Sequence, residues 1–188
     1  MYGLVNRALQ ELVCAHCGKA VWDQIRAKAE VKEEVFIRMD SYPDAVTYRL
    51  IDAASVVLQT PADVLLKQFG QHWMRYTSIE GYGALVNDMG RDFFEALAGL
   101  DAMHARVALL YPNLKTPHFR CTEMTSESLF LHYHSERVGF APMILGLIEG
   151  LGEKFGIRVS IEHVVAKGPE QDFDSFFIRL LGSMDHAV

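Results

Sequence analysis

Among the eight histidines of the chain, His104 stands out because its surroundings are otherwise apolar at helical spacing. Phe93, Leu97, Leu100, His104 and Val107 recur every three or four residues and so share one stripe of a helix. An imidazole on such a stripe must either find a hydrogen-bond partner or ligate a metal through one ring nitrogen. Spacing alone favours the hydrogen-bonded core histidine.

A second constellation is Tyr133-His134-Ser135-Glu136-Arg137. On a strand, alternation sends Tyr133, Ser135 and Arg137 to one face, where two hydroxyls and a guanidinium point together. That trio suits a carboxylate, because arginine grips both oxygens and the hydroxyls donate the remaining hydrogen bonds. A solvated polar strand face is the reading that spacing alone favours. Taken jointly, an apolar crevice, one histidine and a carboxylate clamp are the parts needed to hold a haem by its iron and its propionates.

The remaining chemistry-bearing residues form weaker patterns. Cys14-Ala15-His16-Cys17 is a lone CxxC without a second ligand pair, which is thin support for zinc. His132, His134 and His163 alternate on strand-like segments without an adjacent acidic or cysteine partner, the usual pattern of surface residues. No nucleophile-elbow motif supports a hydrolase, and no polar acid/base pair marks a peroxidase.

The elements that must position these residues fall into two groups. Leu4, Val5, Ala8, Leu9, Leu12 and Val13 open the chain with a core-facing helix, weakly continued by Trp22, Ile25 and Ala29. Val35, Phe36 and Ile37, ahead of Tyr42-Pro43-Asp44, read as an irregular connection, and a helix follows from Asp44 to Leu58. Thr60-Pro61 supplies an N-cap and a first-turn proline for a helix through Val64, Leu65, Phe69, Trp73 and Tyr76. A short helix is expected after Glu80-Gly81-Tyr82-Gly83, then a longer one from Asp92 to Leu110, ended by Tyr111-Pro112.

Beyond that point the pattern changes. Phe119 to Thr122 and Ser128 to His134 read as a hairpin, Leu145, Leu147, Ile148, Leu151 and Phe155 as a helix, and Arg158 to Val165 and Phe173 to Leu180 as two further strands. Gly182 to Val188 reads as a frayed tail. The fold class is α+β: a helical lobe over about 1–62, then an α/β lobe over about 63–182 with a four-stranded antiparallel sheet, within one domain spanning 1–182, and a tail at 183–188.

Composition narrows the partners. A net charge of −6 and the lack of any Lys/Arg run speak against nucleic acid. No apolar stretch reaches the about 18 residues of a membrane span. Asn6, Arg7, Gln10 and Glu11 interrupt the position of a signal peptide's apolar segment. Three cysteines, an odd number, suit a reducing compartment. A cytoplasmic protein is expected.

Several motifs in order resemble the H-NOX family, the haem module of the soluble guanylate cyclase beta subunit and of free-standing bacterial gas sensors. They are Met1-Tyr2-Gly3-Leu4-Val5-Asn6, Leu100-Asp101-Ala102-Met103-His104, Tyr111-Pro112, Phe119-Arg120-Cys121-Thr122 and Leu131 to Arg137. The resemblance implies haem b buried between the lobes, His104 as the iron ligand, and Tyr133, Ser135 and Arg137 on the propionates. It also implies that Pro117 packs on the porphyrin, and that Leu4, Val5, Trp73, Met143 and Leu145 line the distal wall.

Oxygen-binding members of the family place a tyrosine on the helix after the propionate motif. Here Val138-Gly139-Phe140-Ala141-Pro142-Met143-Ile144 has none. Bound oxygen gains from a hydrogen-bond donor whereas nitric oxide needs little such help, so nitric oxide and carbon monoxide are the expected ligands, with oxygen excluded. The resemblance further implies a sensor rather than an enzyme, read by a separate signalling protein such as a histidine kinase or a diguanylate cyclase. An oxygen sensor or a peroxidase-like haem enzyme is the alternative.

Overall fold

A computed structural model describes residues 1–79, 83, 88–111 and 114–184. Six helices among these residues are α1 (Gly3–Cys17), α2 (Lys19–Lys28), α3 (Asp44–Leu58), α4 (Ala62–Ile79), α5 (Phe93–Leu110) and α6 (Ala141–Lys154). The strands are β1 (His118–Thr122), β2 (Ser128–His134), β3 (Ile157–Val165) and β4 (Phe173–Ser183). The short helix expected after Gly83 and the helix-ending Pro112 fall outside the described residues.

Local chemistry accounts for the helix ends. Gly18, at φ +85°, stops α1 and sends its N–H to the Cys14 carbonyl at 3.0 Å. Gln59 takes the left-handed conformation after α3, and Thr60 N–H reaches back to Ser55 O at 3.1 Å. The Thr60 hydroxyl donates to Leu58 O at 3.1 Å, at the close of α3. Asp92 is the N-cap of α5, its carboxylate accepting from Glu95 N–H at 2.8 Å.

The sheet runs β1-β2-β4-β3, every pair antiparallel. Leu129 pairs with Ile178, Leu131 with Phe176 and Tyr133 with Asp174, so the period of two turns these side chains to one buried face. Phe130, His132, His134, Phe173 and Phe177 occupy the other face. The expected end of β4 at Leu180 is too early: Gly182 and Ser183 pair with Arg158 and Ile157 and belong to the strand rather than to a tail. Residues 185–188 lie outside the description.

The core is continuous between helices and sheet, with Trp22, Phe36, Phe69, Phe93 and Phe176 fully enclosed. Phe36 shows that the irregular segment between α2 and α3 is anchored rather than loose; the Tyr42 ring meets it edge-on at 5.2 Å.

Helices α4 and α6 pack along each other at Gly70 and Gly146. A Cβ on Gly146 would collide with the Lys67 carbonyl, and one on Gly70 with the Met143 carbonyl. Lys67–Glu149 and Arg75–Glu153 ion pairs, at 2.8 and 2.7 Å, flank the contact. Backbone has no way to yield as a side chain would, so Gly146→Ala should destabilise the protein by about 2–3 kcal/mol. Gly168→Ala, where a Cβ meets nothing, should stay within about 0.5 kcal/mol. Urea unfolding of the two variants checks the contrast.

Candidate functional site

Between the helices and the sheet lies a cavity of about 260 Å³, overwhelmingly apolar in its lining. Helix α1 contributes Leu4 and Val5, α4 contributes Trp73 and Met74, and α6 contributes Met143, Ile144, Leu147 and Ile148. Helix α5 brings Leu97, Leu100, His104 and Val107, and the sheet side adds Phe119, Leu131 and Tyr133, with Pro117 and Arg137 from the flanking turns.

His104 is half-buried on α5, and its Nδ1 lies 2.8 Å from the Leu100 carbonyl one turn back. A carbonyl oxygen only accepts, so Nδ1 carries the proton and Nε2 keeps its lone pair. Burial pushes the imidazole's pKa down, which keeps the ring neutral. Of the two alternatives drawn from spacing, the hydrogen-bonded one is observed, and the bond leaves the ring in the tautomer whose free nitrogen has a metal-ligating lone pair. The Phe119 ring sits 5.1 Å away, and Asp101 Oδ1 accepts from Phe119 N–H at 3.0 Å, fastening α5 to β1.

The clamp residues come together by a different route from the one their spacing implies. Strand β2 ends at His134, so Ser135 and Arg137 lie in the following turn and not on one strand face. The Ser135 hydroxyl accepts from Arg137 N–H at 3.1 Å, a local side-chain turn that curls Arg137 back toward the strand. Tyr133 and Arg137 line the cavity; Ser135 supports them without lining it. Tyr133 is buried, which pushes its phenol pKa up and keeps its proton on the oxygen.

Arg137 is already engaged. Its Nε lies 2.9 Å from Asp44 Oδ2, an ion pair rather than an aligned hydrogen bond, and a terminal nitrogen donates to Lys115 O at 2.9 Å. Asp44 opens α3 and also accepts from the Met1 ammonium. Burial alone would raise the Asp44 pKa, but the ammonium and Arg137 outweigh it and hold the carboxyl below its usual range.

Of the expected wall residues, Leu4, Val5, Trp73 and Met143 line the cavity and Leu145 does not. On α6 the cavity face is Met143, Ile144, Leu147, Ile148 and Leu151, and Leu145 is turned roughly 100° from Ile144 by helical geometry. The sequence reading missed Ile144 and Leu147, which the same 3.6-residue period would have found. It also missed Asp44, whose partner lies 93 positions away and leaves no local signal.

Elsewhere, Cys14 is half-buried with its thiol pKa pushed up chiefly by burial, and Cys17 is exposed. Among the described residues no three histidine, cysteine or acidic side chains converge to hold a metal. His132 bonds Thr122 at 2.8 Å and His163 bonds Asp174 at 2.9 Å, so these two are structural partners rather than bare surface residues.

An apolar cavity, one neutral imidazole with an uncommitted lone pair, and protonated donors at its edge fit a flat apolar macrocycle that carries a metal and carboxylates. A sequence model described as haem-NO-binding matches residues 2–163. The chain belongs to the haem-NO-binding family. Soluble guanylate cyclase gcy-33 of Caenorhabditis elegans is 29% identical over 155 residues, 82% of this chain but 16% of that protein. Guanylate cyclase gcy-31 of the same organism is 27% identical over 86% of this chain and 23% of its own length.

The chain therefore spans about a quarter or less of these cyclases. An H-NOX protein from S. oneidensis, solved in the Fe(II)NO ligation state, superposes with a TM-score of 0.87 at 24% identity, covering 97% of this chain and 100% of that one. Unliganded H-NOX from K. algicida gives 0.83 at 23% identity over 98% of both chains. This α+β fold is thus that of H-NOX proteins, and the domain is a haem-binding gas-sensor module.

The shared Asp44 carboxylate has a signed consequence. A depressed folded-state pKa contributes stability that is full above the ordinary carboxylate value of 3.8 and fades as the pH falls through the folded value. Asp44→Asn should lower the urea midpoint at pH 7, with the deficit shrinking as titration proceeds below pH 3.8; parallel urea curves from pH 7 to pH 3 check it.

Proposed function

We propose that this domain senses nitric oxide and carbon monoxide at a ferrous haem b, with His104 as the one protein ligand, and excludes oxygen. The observation that carries the reading is the His104 Nδ1–Leu100 O hydrogen bond, which leaves Nε2 to face the cavity chemistry as a neutral donor. The haem supplies an iron able to bind a diatomic gas; the chain's residues do the rest. Tyr133 and Arg137 donate to the propionates, Ser135 holds the turn that aims them, and Pro117 packs against the macrocycle.

Leu4, Val5, Trp73, Met143 and Ile144 form the distal wall; the indole N–H of Trp73 is the one donor among the five side chains, and the other four offer bound oxygen none. The Thr77 hydroxyl, which also lines the cavity, donates to Trp73 O at 2.8 Å and is spent within its own helix. Tyr2 lines the cavity with its ring packed edge-on against Tyr111 at 5.1 Å. An apolar wall penalises oxygen selectively.

Residues 1–182 act as one unit in this reading, with a helical lobe of about 1–62 set against the α/β lobe of about 63–182. Displacement of α5 passes to β1 through Asp101 and Phe119 N–H, so a change in the tie at His104 shifts the sheet relative to the helices. A separate cytoplasmic protein such as a histidine kinase or a diguanylate cyclase reads that shift. No described helix is long and apolar enough to cross a membrane.

The absorption spectrum of the haem-loaded ferrous protein, taken without oxygen, then in air and then with nitric oxide, tests the reading. A five-coordinate spectrum that air leaves unoxygenated and nitric oxide changes is expected. His104→Gly should cut haem retention by at least about tenfold, with added imidazole restoring it. Failure of the purified chain to retain haem overturns the sensor, and a stable oxygenated spectrum moves it to oxygen.

A further inference from the structure

Behind the Ser135 turn lies a polar network that the gas site does not use. Lys167 sits at the corner between β3 and β4, and its ammonium donates to the Ser135 carbonyl. The Lys167 backbone N–H donates to Asp174 Oδ1 at 3.0 Å, and the same oxygen lies 2.9 Å from His163 Nε2. A carboxylate oxygen only accepts from an imidazole, so that ring nitrogen carries a proton. The His163 ring stacks on Phe176 at 4.8 Å, which fixes its plane.

Asp174 is only 7% exposed and is the cross-strand partner of Tyr133. A buried carboxylate is tolerated when donors surround it, and here they are the backbone of Lys167 and the side chain of His163. The consequence falls on the turn. The β2–β4 ladder ends with the His134–Phe173 pair, so the sheet no longer holds the chain from Ser135 onward. The Lys167 ammonium takes over there, gripping the first carbonyl past the ladder, while Asp174 anchors the residue that supplies it.

We propose that Lys167, held in place by Asp174 and His163, is the positioning residue that sets the Ser135–Arg137 turn and thereby aims the carboxylate clamp. The aiming part rests on the reading of Tyr133, Ser135 and Arg137 as a clamp for the propionates. The positioning part stands on hydrogen bonds within the chain alone, so the two parts can fail separately.

Lys167→Met removes the ammonium but keeps the N–H that Asp174 accepts, and Lys167→Arg restores a cationic donor. Amide hydrogen exchange in the full chain, with and without haem, reads the turn directly. Haem transfer to excess apomyoglobin and the resonance Raman propionate bands read the clamp. Lys167→Met should speed exchange at residues 135–138 by about tenfold and leave α5 unchanged, while haem transfer quickens by a similar factor and the propionate bands shift. Lys167→Arg should recover most of each effect.

Unchanged exchange at 135–138 in Lys167→Met overturns the positioning role, whatever haem does. Faster exchange with unaltered haem transfer and unaltered propionate bands overturns the aiming of the clamp and leaves the turn anchor alone. Should Lys167→Met lose protection in α5 as well, Lys167→Gln, which keeps a polar but uncharged tip, must reproduce the local effect for the proposal to survive.

Discussion

The Nδ1 proton of His104 rests on the Leu100 carbonyl, and most of the site depends on that one hydrogen bond. It fixes the tautomer and the plane of the ring, and burial keeps the ring neutral. Because the acceptor is the histidine's own helix, the geometry is set by the helical period and needs no distant partner. Helix α5 thus delivers a prepared imidazole to the cavity, and Asp101 ties the same turn to the backbone of β1.

Everything around that ring is arranged to keep polarity at the margin. Leu97, Leu100, Met143, Ile144 and Leu147 face the cavity, while the charged groups gather where the turns before β1 and after β2 meet the start of α3. Arg137 joins Asp44 to the Lys115 carbonyl, and Asp44 joins Arg137 to the chain's first nitrogen. A guanidinium held in this way costs less to bury, and its orientation is fixed by the chain itself. The same contacts bridge the start of α3 to the turns that flank β1 and β2.

Close packing of α4 on α6 serves the cavity from the other side. Gly70 and Gly146 let the two backbones approach, and that approach brings Trp73 and Met74 of one helix beside Met143 and Leu147 of the other. Side chains at either glycine would part the helices and open that side of the cavity to water.

Much of this was legible in the sequence because it is local. The helical period placed His104 on an apolar stripe, residue type marked Ser128 to His134 as a strand, and the order of the motifs pointed to the family; that Leu129, Leu131 and Tyr133 share the buried face of β2 came from the structure. What went unread is what folding brings from afar. Asp44 and Arg137 carry no sign of each other in sequence, Lys167 and Ser135 meet only because β3 and β4 close the sheet beside β2, and Ser135 reaches the site through a turn where a strand was expected. Leu145 lost its place to Ile144 and Leu147 because the rotation of α6 is set by the glycine contact with α4, a tertiary constraint. Residue type and spacing determined which groups could do chemistry; the long-range ion pairs and helix contacts decided which of them face one another, since those depend on distances in space that the order of residues does not encode.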